Sequence, residues 1–189
     1  MKLGLFPLPV FLLPQGVTKL RIFEQRYIRL VQESAGDIGF VIASPHMTFD
    51  PPSAANNWGS WVKIIDFCMG DDGLLLIDVK CQSMVKINSM EIESDGLKKG
   101  DVSLYSHWVD ASFTPMQQDA HTIQKQLHLL FQQNPQLSEL YEKKHFSSLV
   151  WVCQRWLELL PLKPNEQNLF VQSDSFDQCY QFLRSVILE

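Results

Sequence analysis

The stretch LFPLPVFLLPQGVTKLRIFEQRY, Leu5 to Tyr27, decides how the rest of the chain is read. It begins as a mostly apolar run behind a single lysine, Lys2, which is also how a secretory leader begins. A leader needs an unbroken apolar helix and small residues before a cleavage point. Here Pro7 and Pro9 sit inside the run, Pro14 ends it, and Gln15-Gly16-Val17-Thr18 follow without a small-residue site. A membrane span needs about 18 uninterrupted apolar residues, and the same prolines argue against one. The stretch therefore reads as an extended, proline-punctuated first strand, a turn at Pro14-Gln15-Gly16, and the start of a helix. In that helix Phe23, Tyr27, Leu30 and Val31 share one face. Glu24 suits its positive end, and Gly36 marks its stop.

Working outward, the first 115 residues continue as short strands and turns. Gly39–Ala43 (GFVIA) is a buried-strand run closed by Ser44-Pro45. In Ser60–Met69 (SWVKIIDFCM) the alternation Val62, Ile64 passes to Ile65, Phe67, a single slip of the kind a bulge produces. Gly70-Asp71-Asp72-Gly73 predicts a hairpin turn, with Asp-Gly suited to positive φ. Leu74–Val79 runs back, Met84–Ile92 alternates imperfectly, and Gly96–Gly100 makes another turn before Val102–Val109. Strands at this spacing suggest a small barrel or sandwich.

After Thr114-Pro115 the period becomes helical. Ala120, Ile123, Leu127, Leu130 and Phe131 form a stripe within Asp119–Gln133, and a short segment, Gln136–Lys143, follows. Ser147–Leu160 turns Val150, Cys153, Trp156, Leu157 and Leu160 inward, with Ser147 or Ser148 as cap. A last helix, Ser175–Leu188, buries Phe176, Tyr180, Leu183 and Ile187. The expected division is a β-rich subdomain over 1–115 and a helical subdomain over 116–189.

Composition narrows the function classes. The 189 residues are 46% hydrophobic and 20% charged, as in soluble globular proteins. The net charge of −5 is shared, with 10 basic and 13 acidic residues before position 116 and 6 against 8 after it. Neither part has the basic excess that neutralises a phosphate backbone, so nucleic acid is not an expected partner. Cys68, Cys81, Cys153 and Cys179 make no metal-ligand spacing and read as buried, reduced thiols, which with no leader suits a cytoplasmic location.

A catalytic constellation is missing. There is no G-x-x-x-x-G-K-[ST] phosphate loop and no G-x-S-x-G elbow. His121 and His128, seven apart, lack a third ligand, and Asp71-Asp72 read as turn formers. No cofactor, metal or membrane contact is expected. The unusual element is Ser44–Ser60, a long proline- and asparagine-rich loop carrying Met47, Phe49 and Trp58. Apolar side chains on such a loop suit contact with a partner, and these three are the candidate binding residues. The alternative folds the loop back with Phe49 and Trp58 in the core. Trp61 and Trp108 read as packing residues.

Leu5–Pro9 (LFPLP), a strand, Pro14-x-Gly16 and Leu20–Tyr27 (LRIFEQRY) together resemble the opening of the Lon N-terminal domain, with Gln25 where that family has proline. Gly39–Ala43, the turn at Asp72-Gly73 with its two strands, and Leu159–Leu162 with Glu166 and Leu169-Phe170 extend the resemblance over nearly the whole chain. Departures are Cys81 and Met84 where the family usually has glycine and arginine, and Cys179 where arginine is common. The resemblance implies an α+β fold: a PUA-like β pseudobarrel of about six strands with one early helix, followed by a C-terminal helical bundle. It also implies a stand-alone, non-catalytic module that binds unfolded polypeptide or a protein partner, without Lon's ATPase and Ser-Lys peptidase domains, and with weak self-association allowed. Docking would be apolar, in a groove between barrel and helices. Glu24, Arg26 and Tyr27 are read as structural. Two rival expectations are an enzyme assembled from His46, His107 and Asp110, and an RNA-binding face built from Lys63, Lys80, Lys86, Lys98 and Lys99.

Overall fold

The computed structural model describes residues 1–47, 49, 57–108 and 117–188. The chain divides into two compact units, Met1–Tyr105 and Ser106–Glu189. The boundary expected at 115/116 lies outside the described residues.

The first unit is a mixed six-stranded sheet: β1 (Lys2–Pro7), β2 (Val17–Ile22), β3 (Phe40–Ala43), β4 (Trp58–Met69), β5 (Leu75–Ile92) and β6 (Lys98–Tyr105). β1 lies parallel to β3 and antiparallel to β6, and β6 also pairs with β5. Since β3 pairs with β4 and β4 with β5, the hydrogen-bonded neighbours close on themselves, with β2 attached outside the ring along β5. Alternate residues of these strands point to one core, where Leu3, Leu5, Val41, Ala43, Val85, Ile87 and Val102 cluster. Burying each of the larger aliphatics contributes about 1.5–3 kcal/mol.

The opening stretch folds as two strands where one is expected. The chain leaves β1 at Pro7, and a turn forms at Leu13–Gly16, closed by the Gly16 amide on the Leu13 carbonyl (2.9 Å). Gln15 takes φ 66°, the conformation a type II turn requires at its third position. Backbone bonds of 2.8 Å between Gln15 and Gly16 and Cys81 then start β2 against β5.

Helix α1 (Gln25–Glu33) begins later than the apolar spacing suggests. Phe23 precedes it and is 67% exposed, so its expected place on the buried face is corrected. The reason is that pairing with β5 holds the chain extended to Ile22, and the helical face starts only at Tyr27. Tyr27 and Leu30 are buried, and the Tyr27 ring stacks on Phe6 with centroids 4.1 Å apart. Glu24 does not cap the helix through its side chain; its carboxylate pairs with Arg26 at 2.6 Å.

Two further expectations change. The expected strands Leu74–Val79 and Met84–Ile92 are, from Leu75 on, one 18-residue strand, β5, whose irregularities are register shifts rather than a break. The turn before β6 is tighter than Gly96–Gly100, because the Glu93 amide reaches the Leu97 carbonyl at 2.8 Å and β6 is already paired at Lys98. The hairpin at Gly70–Gly73 forms as the sequence predicts: Gly73 has φ 78° and its amide donates to the Gly70 carbonyl at 2.9 Å.

The second unit is a helical bundle of α2 (Gln117–Gln133), α3 (Pro135–Glu139), α4 (Leu149–Leu159), α5 (Pro164–Phe170) and α6 (Phe176–Ile187). Ile123, Leu127 and Phe131 bury the α2 stripe, and Phe176, Cys179, Tyr180 and Leu183 that of α6. α4 packs against both neighbours, so its buried arc is wide and takes in Trp151, Val152, Gln154 and Arg155 beside Cys153 and Leu157. Val150, Trp156 and Leu160, expected inward, are only half-buried. Ser148 caps α4 by accepting from the Trp151 amide at 3.3 Å. α5, not anticipated from the sequence, starts at Pro164, with Glu166 accepting from the Lys163 amide at 2.7 Å.

Candidate functional site

Met47 and Phe49 are half-buried and pack against the core cluster of the first unit. Trp58 is in β4, also half-buried, with its ring edge-on to Phe11 at 5.6 Å. Residues 48 and 50–56 of the same loop lie outside the described residues. Trp61 packs on the core cluster and Trp108 is buried, donating to the Gln172 carbonyl at 3.2 Å and the Ser175 hydroxyl at 3.1 Å.

Among the described residues, neither unit by itself holds the set His46, His107 and Asp110 of the enzyme reading. His46 is exposed in the first unit, His107 is buried in the second, and Asp110 lies outside the described residues. Both His107 ring nitrogens are committed internally, Nε2 to the Phe170 carbonyl at 2.8 Å and Nδ1 to the Gln154 amide nitrogen at 3.1 Å. Burial pushes its pKa down to about 4, opposed by the Phe170 bond, so it stands as a neutral packing group. Of the five lysines, Lys63 lies opposite Lys80 on the neighbouring strand and is paired with Asp37 at 2.8 Å, and Lys99 is paired with Glu33 and Glu93 at 2.9 and 3.1 Å. His121 and His128 are exposed, and among the described residues no group of three or more His, Cys, Asp or Glu is placed to hold a metal ion. Cys81, Cys153 and Cys179 are buried free thiols; Cys68, expected buried, is exposed because it falls on the outer face of β4.

A different site emerges at the free end of the β4–β5 hairpin. A groove of about 450 Å³ runs between the last turn of α1 and this hairpin, walled by Val31, Ala35, Ile64, Ile65, Phe67 and Leu75. Its geometry follows from the slip in SWVKIIDFCM. Ile64 lies opposite Val79 and Asp66 opposite Asp78, so Ile65 is the extra residue of a bulge. After it, Phe67 and Met69 lie opposite Ile77 and Leu75, on the face that carries the core side chains. Ile77 is fully buried, but Ile65, Phe67 and Met69 are 51%, 72% and 66% exposed. The core face of the hairpin thus continues past the elements that cover it. Asp66 is the charged member of the groove lining, and in the register it lies opposite Asp78, on the other face of the hairpin from Phe67. Such a mostly apolar and uncovered surface marks a place of contact.

The fold has known counterparts. A crystal structure of a Lon N-terminal domain protein from Xanthomonas campestris superposes with a TM-score of 0.71 at 26% identity, covering 97% of each chain. The chain is a structural match to the Lon N-terminal domain. The N-terminal domain of a Mycobacterium avium complex Lon protease gives a TM-score of 0.63 at 12% identity, over 100% of this chain and 99% of that one, a likeness of fold. No family model and no curated protein sequence matches the chain. The likeness to the Lon N-terminal domain runs through both units, so these residues hold neither an ATPase nor a peptidase domain.

Proposed function

We propose that this chain is a non-catalytic, cytoplasmic module that binds unfolded polypeptide through apolar docking, as a Lon N-terminal domain would in recognising a substrate. The supporting observation is the groove between α1 and the β4–β5 hairpin, lined by the exposed Ile65 and Phe67, with Met69 exposed beyond it on the continuation of the core face. Covering these partly exposed side chains would contribute up to about 1.5–3 kcal/mol each, a gain that the apolar side chains of an unfolded chain can supply. The ring of strands is read here as a PUA-like pseudobarrel, whose rim carries the groove. The exposed halves of Met47, Phe49 and Trp58 are proposed as a second contact for the same apolar partner.

Fluorescence anisotropy with a permanently unfolded carrier, reduced and carboxymethylated lactalbumin, tests the reading. The wild-type chain is expected to bind it and to ignore the native carrier, and the Phe67→Ser/Met69→Ser variant to bind at least about tenfold more weakly. Equal affinity for native and unfolded carrier would overturn the proposal.

A further inference from the structure

The groove is bordered by an unpartnered strand edge. β3 pairs with β4 only from Gly59 to Val62, whereas β4 runs on to Met69. The chain swings away before β3 at Gly39, whose φ of 69° and whose closeness to the Val62 carbonyl, 2.2 Å from where a Cβ would lie, only glycine tolerates. Among the described residues, no strand therefore pairs with β4 on that side along 63–69.

The hairpin's own bonds show which backbone groups face outward. The Gly70 amide donates to the Leu74 carbonyl at 2.8 Å, which makes Gly70 and Leu74 a bonded pair. Bonded pairs alternate along an antiparallel ladder, so Cys68 and Leu76 form the next one. Phe67 and Met69 fall between, and their N–H and C=O groups point away from β5. The Phe67 amide confirms this: it donates not to a strand but to the Asp66 carboxylate beside it, at 2.8 Å. Asp66 Oδ1 holds the place that a strand carbonyl would take.

We propose that extended polypeptide binds here by adding a strand to the edge of β4 at 63–69, with alternate side chains entering the groove. This inference rests on the polypeptide-binding reading and specifies its geometry and substrate class. A main chain in extended form is the ligand whose donors and acceptors repeat at the spacing of this edge. On one face its side chains meet Val31, Ala35, Ile65 and Phe67, so they are apolar and uncharged. On the other they meet Asp66, whose carboxylate is released once a carbonyl takes the Phe67 N–H, and which then favours lysine or arginine opposite it. At the near end, Lys63 is paired with Asp37 at 2.8 Å. The preferred segment is a run of about seven residues, apolar at alternate positions with a cation between them.

The test uses a fluorescein-labelled peptide of about seven residues alternating valine with threonine and lysine, and two analogues N-methylated on alternate amides in opposite phases. Strand addition predicts that one phase weakens binding about tenfold or more, while the other leaves it unchanged. In the protein, Phe67→Pro deletes the outward N–H and leaves the β4–β5 ladder intact. It is expected to bind the peptide several-fold more weakly than Phe67→Ser, both variants showing wild-type circular dichroism; the methylated peptides give the answer if the proline variant does not fold. Indifference to the methylation phase, or a carrier that binds while the peptide does not, overturns strand addition and leaves the broader reading standing. Failure of the unfolded carrier itself to bind removes both. Dimerisation of the chain that Phe67→Pro abolishes, in place of peptide binding, assigns the edge to a second copy and overturns the peptide.

Discussion

Arg29, in the middle of α1, is ion-paired with Glu93, 64 positions further along, in the turn that joins β5 to β6. Lys99 meets the same carboxylate at 3.1 Å and Glu33 at 2.9 Å, while Arg29 reaches Glu33 at 3.2 Å and Asp95 at 3.1 Å. The early helix is thus fastened to a distant hairpin by a network rather than by an isolated pair. Lys99, then Arg29, hold the Glu93 carboxyl below the usual carboxylate range. A carboxyl lowered in the fold contributes stability at neutral pH that is lost as pH falls through the ordinary carboxylate range towards its folded value. Arg29→Gln should lower the thermal midpoint at pH 7 and shrink the further fall on going to about pH 4. Circular dichroism melts across that range check it, and an unchanged acid slope would assign the effect elsewhere.

The part of the fold that was legible in the sequence is the part set by local chemistry. The Asp72-Gly73 turn, the bulge in SWVKIIDFCM and the Ser148 cap each need particular residue types at particular positions. Phe23 was misplaced because helical spacing cannot register that strand pairing holds Ile22 extended against Leu75. Likewise α5 carries too few apolar residues for a stripe, and its start depends on Pro164 and Glu166 alone.

His107 gives a second pH test, confined to the helical unit. A carbonyl only accepts, so Nε2 carries the proton donated to Phe170, and Nδ1 accepts from Gln154. Burial holds the ring neutral, with a pKa pushed down to about 4 against the Phe170 bond, and the Arg155 charge adds to the lowering. The unfolded chain takes up its proton near the ordinary value of about 6.5, so stability falls as pH drops from there to about 4. The total is about 3 kcal/mol. Urea unfolding at several pH values should show this slope in the wild type and a flatter one in His107→Gln.

The groove was half legible. The slip at Ile64-Ile65 already places Phe67 and Met69 on the core face, but whether that face is covered depends on how far β3 runs, and that is fixed by Gly39 meeting the Val62 carbonyl. No local signal carries such a long-range length mismatch. Composition drew attention to the loop of Met47 and Phe49 instead, where apolar residues pack on the core.

Tyr27 tests the structural reading of the IFEQRY motif. Its ring lies between Phe6, 4.1 Å away, and the Arg26 guanidinium, 4.9 Å from its centre. Tyr27→Ala should cost about 3–5 kcal/mol, the range for emptying an aromatic site. Tyr27→Phe, which keeps the stack, should cost less than about 1.5 kcal/mol. Equal losses in the two would place the tyrosine's contribution in its hydroxyl.

Met47, Phe49 and Trp58 separate packing from contact. Their buried halves lie against the core cluster or Phe11, so each alanine variant should lose about 1–3 kcal/mol in urea unfolding. Ser at Phe67 and Met69, where the side chains are largely in solvent, should change stability by no more than about 0.5 kcal/mol. Affinity for the unfolded carrier, measured where all variants are folded, supplies the other axis. The groove pair should lose affinity at constant stability. The loop set should lose stability first and affinity by a few-fold, through the exposed halves alone. Alanine variants of the loop that bind like wild type would confine Met47, Phe49 and Trp58 to packing and leave the groove as the single docking surface of the first unit.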